Sequence, residues 1–176
     1  MKVAPFAGQR VVLTGGSSGI GRSLAILLAR QGADLLLVAR RLKALEDTLQ
    51  ELESCRRPGQ TLEARSADVG RREQIEPLLT DYAARNPVDV LINCAGVAYA
   101  EYLERTGPEV FEEMMCVNYL GTVWATRALV PHFRSRQKGH ITNVASLAGV
   151  VGVVGHAAYA PSKFAVMGFS DRKSVV

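Results

Sequence analysis

Short apolar runs alternate with amphipathic stretches along most of the chain. Arg10 to Thr14 is a β-branched, apolar run that ends in a glycine-rich turn. Ile20 to Gln31 carries apolar residues at helical spacing (Ile20, Leu24, Leu27, Leu28), and Gly32 follows as a C-cap. Leu35 to Ala39 is continuously apolar, as expected of a strand covered on both faces. Leu42 to Leu52 predicts a helix with Leu42, Leu45, Leu49 and Leu52 on one side and Glu46, Asp47 and Gln50 on the other. After the Pro58-Gly59 loop, Thr61 to Ser66 reads as a third strand and Arg71 to Arg85 as a helix interrupted by Pro77. Val88 to Asn93 is a fourth strand, and Glu109 to Arg136 a long helix ended or kinked near Pro131. His140 to Ala145 is a fifth strand, and Ala157 to Phe169 a final helix. This alternation predicts an α/β, Rossmann-type doubly wound parallel sheet with helices on both faces.

Composition narrows the class. The 176 residues are 48% hydrophobic and 22% charged, enough apolar material for one folded domain and too much for disorder. Net charge is +4, with Arg and Lys scattered rather than clustered, so a nucleic-acid partner is not expected. No stretch approaches the about 18 uncharged apolar residues of a membrane helix, and the glycines near residue 150 break its Val-rich run. Met1 to Ala7 lacks a signal-peptide core, and Cys55, Cys94 and Cys116 are too widely spaced for a disulfide framework or zinc site. The expected compartment is cytoplasmic. His132, His140 and His156 lack metal-ligand spacing, and Trp124 and Phe133 read as core or subunit-contact residues.

In an open α/β sheet, ligands sit beyond the carboxyl ends of the strands, so the loops there carry the chemistry. Four glycines (Gly15, Gly16, Gly19, Gly21) lie between the first strand and its helix. Such a loop lets backbone N–H groups approach a phosphate at a helix N-terminus. Gly16-x4-Gly21-Arg22-Ser23 approaches a P-loop with Arg for the phosphate-binding lysine, whereas Gly15, Gly19 and Gly21 are spaced for a dinucleotide. The second strand ends in Arg40-Arg41, where a carboxylate would grip a ribose 2′-hydroxyl; a guanidinium there favours a 2′-phosphate and hence NADPH/NADP. Asp68 either accepts from an adenine amino group or caps the next helix. Tyr159 and Lys163 stand at i, i+4 on one helical face, where an ammonium lowers the phenol pKa, and Ser146 after the fifth strand can hold a carbonyl oxygen.

With these residues together, the chain resembles the short-chain dehydrogenase/reductase family over Arg10 to Ser170. Thr14 to Gly21 is similar to that family's TGxxxGxG element, and Asn93-Cys94-Ala95-Gly96 to its NNAG element, with Cys94 for the second Asn. Asn118, Ser146, Tyr159 and Lys163 match its catalytic tetrad. The resemblance implies reduction of a ketone by hydride transfer, with Tyr159 as general acid. Lys163 would lower its pKa and hold the nicotinamide ribose, Ser146 would orient the carbonyl, and Asn118 would anchor a relay water. It also implies cofactor contacts at Gly15, Ser17, Ser18, Gly19, Ile20, Gly21, Arg40, Asp68, Val69, Asn93, Ala95 and Gly96, shared with Tyr159 and Lys163. Asn93 would mainly bind the backbone of neighbouring strands, and Cys94 would fall at a structural position.

Four segments, Gly15 to Gly19, Val38 to Arg40, Asn93 to Gly96 and Val117 to Gly121, are most similar to the family's 3-ketodihydrosphingosine reductases. That likeness implies a small-molecule ketone with a long lipid chain, peripheral membrane contact and a homo-oligomer. Other readings stay open: a 3-oxoacyl-acyl-carrier-protein reductase, a general carbonyl reductase, or a dinucleotide-binding module without turnover. The apolar loop Leu147 to Val154 either faces a greasy substrate or packs on neighbouring helices. The reductase domain, residues 1–170, is expected to be incomplete, with its C-terminal strands missing and the fragment inactive alone. Residues 171–176 turn polar where an apolar helical face should continue, and read as a non-native tail.

Overall fold

The computed structural model describes residues 5–171. Its strands are β1 (Arg10–Thr14), β2 (Asp34–Ala39), β3 (Leu62–Ser66), β4 (Val90–Asn93) and β5 (His140–Asn143). All pairings are parallel, in the order β3-β2-β1-β4-β5. The helices are α1 (Gly19–Arg30), α2 (Leu42–Glu53), α3 (Arg72–Arg85), α4 (Pro108–Met114), α5 (Gly121–Arg136) and α6 (Tyr159–Ser170). The chain winds outward from β1 to β3, then returns past β1 to lay down β4. The order therefore reverses between β1 and β4, and a crevice opens there at the strands' carboxyl ends.

Alternate residues of the inner strands feed two separate cores. Val11, Leu13, Leu35, Leu37, Val90 and Ile92 pack with Ala25, Leu28, Leu45 and Leu52 of α1 and α2. Val12, Leu36, Val38 and Leu91 pack with Ile75, Leu79, Ala125, Leu129 and Phe133 of α3 and α5. Burial on both faces explains the unbroken apolar runs. The architecture is the expected Rossmann-type doubly wound sheet. β5 stands at one edge, with His140, Ile141 and Thr142 exposed.

Three local expectations are corrected. The sheet-facing side of α1 is Gly21, Ala25, Leu28 and Ala29, while Ile20 and Leu27 are exposed. Small residues let the helix lie close to the strands, so leucine spacing misplaced the face. Neither Pro77 nor Pro131 ends its helix: α3 and α5 run through them, held by buried neighbours on either side (Ile75 and Leu79; Leu129 and Phe133). The break in the long helical pattern lies earlier, at the π-helical segment Met115–Leu120 between α4 and α5. Of the tail, residues 172–176 lie outside the described residues.

Opposite the crevice, Asp89 ties three elements together. Its Oδ2 accepts from the Arg10 N–H at 3.0 Å, and its Oδ1 from Arg136 Nη2 at 3.1 Å and Lys138 Nζ at 3.0 Å. Burial works against the carboxylate, but the Arg10 N–H, Lys138 and Arg136 outweigh it and hold its pKa below the usual value. A depressed pKa means that the contribution is present above the unfolded-state value and lost as pH falls through the folded one. Asp89→Asn should lower unfolding free energy by about 1.5–3 kcal/mol at neutral pH. In urea titrations, the gap to wild type should close below about pH 4; a pH-independent gap would contradict this role.

Candidate active site

The loop after β1 is built for close approach. Gly15 (φ +77°) and Gly19 (φ +53°) occupy the left-handed region that favours glycine. A Cβ on Gly15 would lie 2.7 Å from the Ala95 backbone, and one on Gly21 would strike the Gly15 carbonyl oxygen. Thr14 Oγ1 accepts from the Cys94 and Ala95 N–H groups, each at 3.2 Å, clamping the loop after β4 against the one after β1. The first turn of α1 opens from this cradle with its N–H groups facing outward from the helix end. Arg22, the residue a P-loop reading would need at the phosphates, is instead paired with Glu51 on α2.

A cavity of about 420 Å³ follows the crevice. Arg40 and Arg41 stand at one end; Gly15, Ser17, Ser18, Gly19, Ile20 and Gly21 line the β1 side; Val69, Ala95 and Gly96 line the opposite walls. Tyr159 and Lys163 close the other end. Asp68, Asn93, Asn118 and Ser146 are not in the cavity wall.

Each of these four has a partner that explains its place. Asp68 Oδ1 accepts from the Gly70 N–H at 3.0 Å, so the carboxylate shapes the turn into α3. Asn93 Nδ2 donates to Thr126 Oγ1 (3.2 Å) and Asn143 Oδ1 (2.9 Å), a bridge of side chains rather than the backbone contact expected. Asn118 is buried in the π-helical segment, its Oδ1 accepting from the Val97 N–H (2.8 Å) and its Nδ2 donating to Val97 O (3.0 Å) and Ser162 Oγ (2.9 Å). Its amide is thereby engaged by protein groups. Ser146 Oγ accepts from the Ala148 N–H at 3.2 Å, which leaves the hydroxyl proton free to donate.

Tyr159 opens α6, and Lys163 stands one turn later, only 6% exposed. Lys163 Nζ donates to Val144 O at 2.9 Å and lies 5.9 Å from the Tyr159 ring centroid. Burial pushes the Lys163 pKa down, with Cys94 acting in the opposite sense. The turn after Ser146 comes against α6 at Gly149, where a Cβ would lie 2.7 Å from Lys163 O.

Several residues escaped the sequence reading. Cys94, expected at a structural position, lines the cavity, and burial raises its thiol pKa. Ser162, fully buried, donates to Tyr159 O at 2.7 Å and accepts from Asn118, joining two segments that carry candidate residues. It lies inside the Tyr159-to-Lys163 stretch, but only the fold reveals its partner. Trp124 is not a cavity residue; the guanidinium groups of Arg72 and Arg127 lie 5.5 and 5.8 Å from its ring centroid.

Comparison with known proteins agrees with this geometry. The short chain dehydrogenase family model matches residues 9–174. The chain is 39% identical over 167 residues to 3-dehydrosphinganine reductase of Danio rerio, covering 93% of this chain and 50% of that protein. It is 38% identical over 173 residues to 3-ketodihydrosphingosine reductase of Bos taurus, covering 97% and 52%. It thus spans about half the length of these curated relatives. A metagenomic short-chain oxidoreductase solved in complex with NADP superposes with a TM-score of 0.85 at 32% identity, covering 93% of this chain and 74% of that one. A glycine-floored crevice at the sheet's switch point, a Tyr-x3-Lys turn at its end and a family match across nearly the whole chain lead to one conclusion: this chain belongs to the short-chain dehydrogenase/reductase family of oxidoreductases.

Proposed function

We propose that this chain carries the cofactor-binding and catalytic residues of an NADPH-dependent ketone reductase in which Tyr159 is the general acid. The observation that carries the reading is that one crevice joins the Arg40-Arg41 pair to the Tyr159–Lys163 turn. The donor set fits NADPH: a cradle with no room for a Cβ at Gly15 or Gly21, a helix N-terminus above it, and guanidinium groups at the far end. When bound, the cofactor supplies the hydride.

The chain's own residues supply the rest. Tyr159 gives its phenolic proton to the ketone oxygen, and the Lys163 ammonium beside the ring stabilises the phenolate that remains. Ser146, whose Oγ already accepts from Ala148, donates its proton to the same ketone oxygen and orients it. Asn118 acts through position, holding the Val97 loop against Ser162 beneath Tyr159.

For the substrate, we favour a long-chain ketone such as 3-ketodihydrosphingosine. Leu147 (76% exposed), Val150, Val151 and Val154 (83%) face solvent just beyond Ser146, and Tyr102 and Leu103 are exposed on a second loop. Glu101 N–H donates to Gly155 O at 2.8 Å and ties the two loops together. Exposed apolar side chains on two loops joined in this way suit an apolar ligand, and the names of the relatives from Danio rerio and Bos taurus point the same way. The expected surroundings, a cytoplasmic homo-oligomer with peripheral membrane contact, belong to this reading. Among the described residues, no helix is long and apolar enough to cross a membrane.

Three outcomes test the proposal. In a form extended to the length of its relatives, Tyr159→Phe should keep NADPH affinity within about two-fold while ketone turnover falls roughly 10²–10⁴-fold; near-normal turnover would rule out Tyr159 as the acid. Arg40→Asp should move the preference from NADPH towards NADH, since a charge-assisted bond contributes roughly 1.5–3 kcal/mol. Equal NADPH and NADH affinities in the unmutated chain would defeat the cofactor assignment. In the same extended form, across a panel of short ketoesters, an acyl-carrier-protein-linked ketoester, steroids and 3-ketodihydrosphingosine, kcat/KM should be highest for the long-chain base. Preference for an acyl-carrier-protein-linked ketoester would place the chain in another branch of the family.

A further inference from the structure

Beside the Arg40 end of the crevice stands a carboxylate that the cofactor reading does not use. Glu113, on α4, brings Oε1 to 3.8 Å from Arg40 Nη1, and both side chains are half exposed. Its position follows from the packing of the helix that carries it. The π-helical segment after α4 lies against the loop after β3: a Cβ on Gly70 would sit 3.4 Å from the Cys116 carbonyl group, and one on Gly121 would sit 2.8 Å from Val69 Cγ2. Val117, one turn beyond Glu113, lines the cavity itself. Glu113 is therefore held at the mouth of the crevice, on the side facing the end of β2.

We propose that Glu113 is a specificity-determining residue that competes with the cofactor's 2′-phosphate for Arg40 and so sets how strongly the site prefers NADPH over NADH. The inference rests on the NADPH reading above. The phosphate and the Glu113 carboxylate seek the same guanidinium, and each disfavours the other by like-charge repulsion. Binding a 2′-phosphate at Arg40 requires the Glu113 pair to loosen; binding a 2′-hydroxyl does not. The pair is exposed, so its effect is modest: removing the carboxylate should tighten NADPH binding roughly two- to five-fold.

The test is a fluorescence titration of the full chain with NADPH and with NADH, in parallel for wild type, Glu113→Gln, Glu112→Gln and Arg40→Ala. Glu112 is the exposed neighbour on the same helix and controls for a general change of net charge. The expected result is a two- to five-fold gain in NADPH affinity for Glu113→Gln alone, with NADH affinity unchanged. An unchanged or weakened NADPH affinity would overturn the proposal, as would an equal gain from Glu112→Gln. A loss of NADH affinity would also overturn it, by making Glu113 an acceptor for the ribose hydroxyl. Arg40→Ala separates the two levels of argument. If it lowers the NADPH/NADH ratio while Glu113→Gln does not raise it, only this inference fails; if it leaves the ratio untouched, the cofactor reading fails as well.

Discussion

An ammonium group buried at the carboxyl end of a parallel sheet must be compensated, and much of the site is arranged around that requirement. Lys163 meets it through the Val144 carbonyl oxygen at the end of β5. The bond fixes the first turn of α6 against the sheet, and two further links hold the same helix. Ser162 joins it to Asn118, and Ser170 accepts from Asn143, which in turn accepts from Asn93 on β4. Side chains that look like separate motifs in the sequence thus form successive rungs along one helix. Tyr159 is positioned as a consequence, because it opens the helix that these rungs immobilise.

The crevice itself arises from topology. Reversal of strand order between β1 and β4 opens a gap at the strands' carboxyl ends, and the two adjoining loops meet backbone to backbone because Gly15 has no side chain. Three environments follow one another along this gap: guanidinium groups at the end of β2, bare backbone in the middle, and a phenol beside a buried ammonium at the far end. Beyond the last lies the apolar rim. Each environment comes from a different loop, which lets one scaffold vary its substrate while keeping its cofactor chemistry.

The sequence made the strands legible because each inner strand is buried on both faces and so reads as an uninterrupted apolar run. The glycine loop, Arg40, Tyr159 and Lys163 stand out in the sequence because residue type at fixed spacing marks them, and the structure brings them to one crevice. What stayed hidden depends on contacts between distant segments. Asp68 and Asn93 have structural partners that the sequence does not reveal: Gly70 for the first, Thr126 and Asn143 for the second. The face of α1 was misread because glycine and alanine pack closer than leucine. The π-helical segment has no compositional mark, and the partners of the Asn118 it carries, Val97 and Ser162, lie in distant parts of the chain.

The exposed rim has a thermodynamic consequence that the opposite end of the crevice does not share. Water against Leu147, Val150, Val154, Tyr102 and Leu103 carries a high heat capacity, and a ligand that covers these side chains releases it. Apolar contact of this kind weakens on cooling. Attraction between a phosphate and Arg40 depends instead on charge and responds to ionic strength. On the proposed reading, temperature would act on the rim and salt on the Arg40 end of the crevice, so the two ligands need not tighten or loosen under the same conditions.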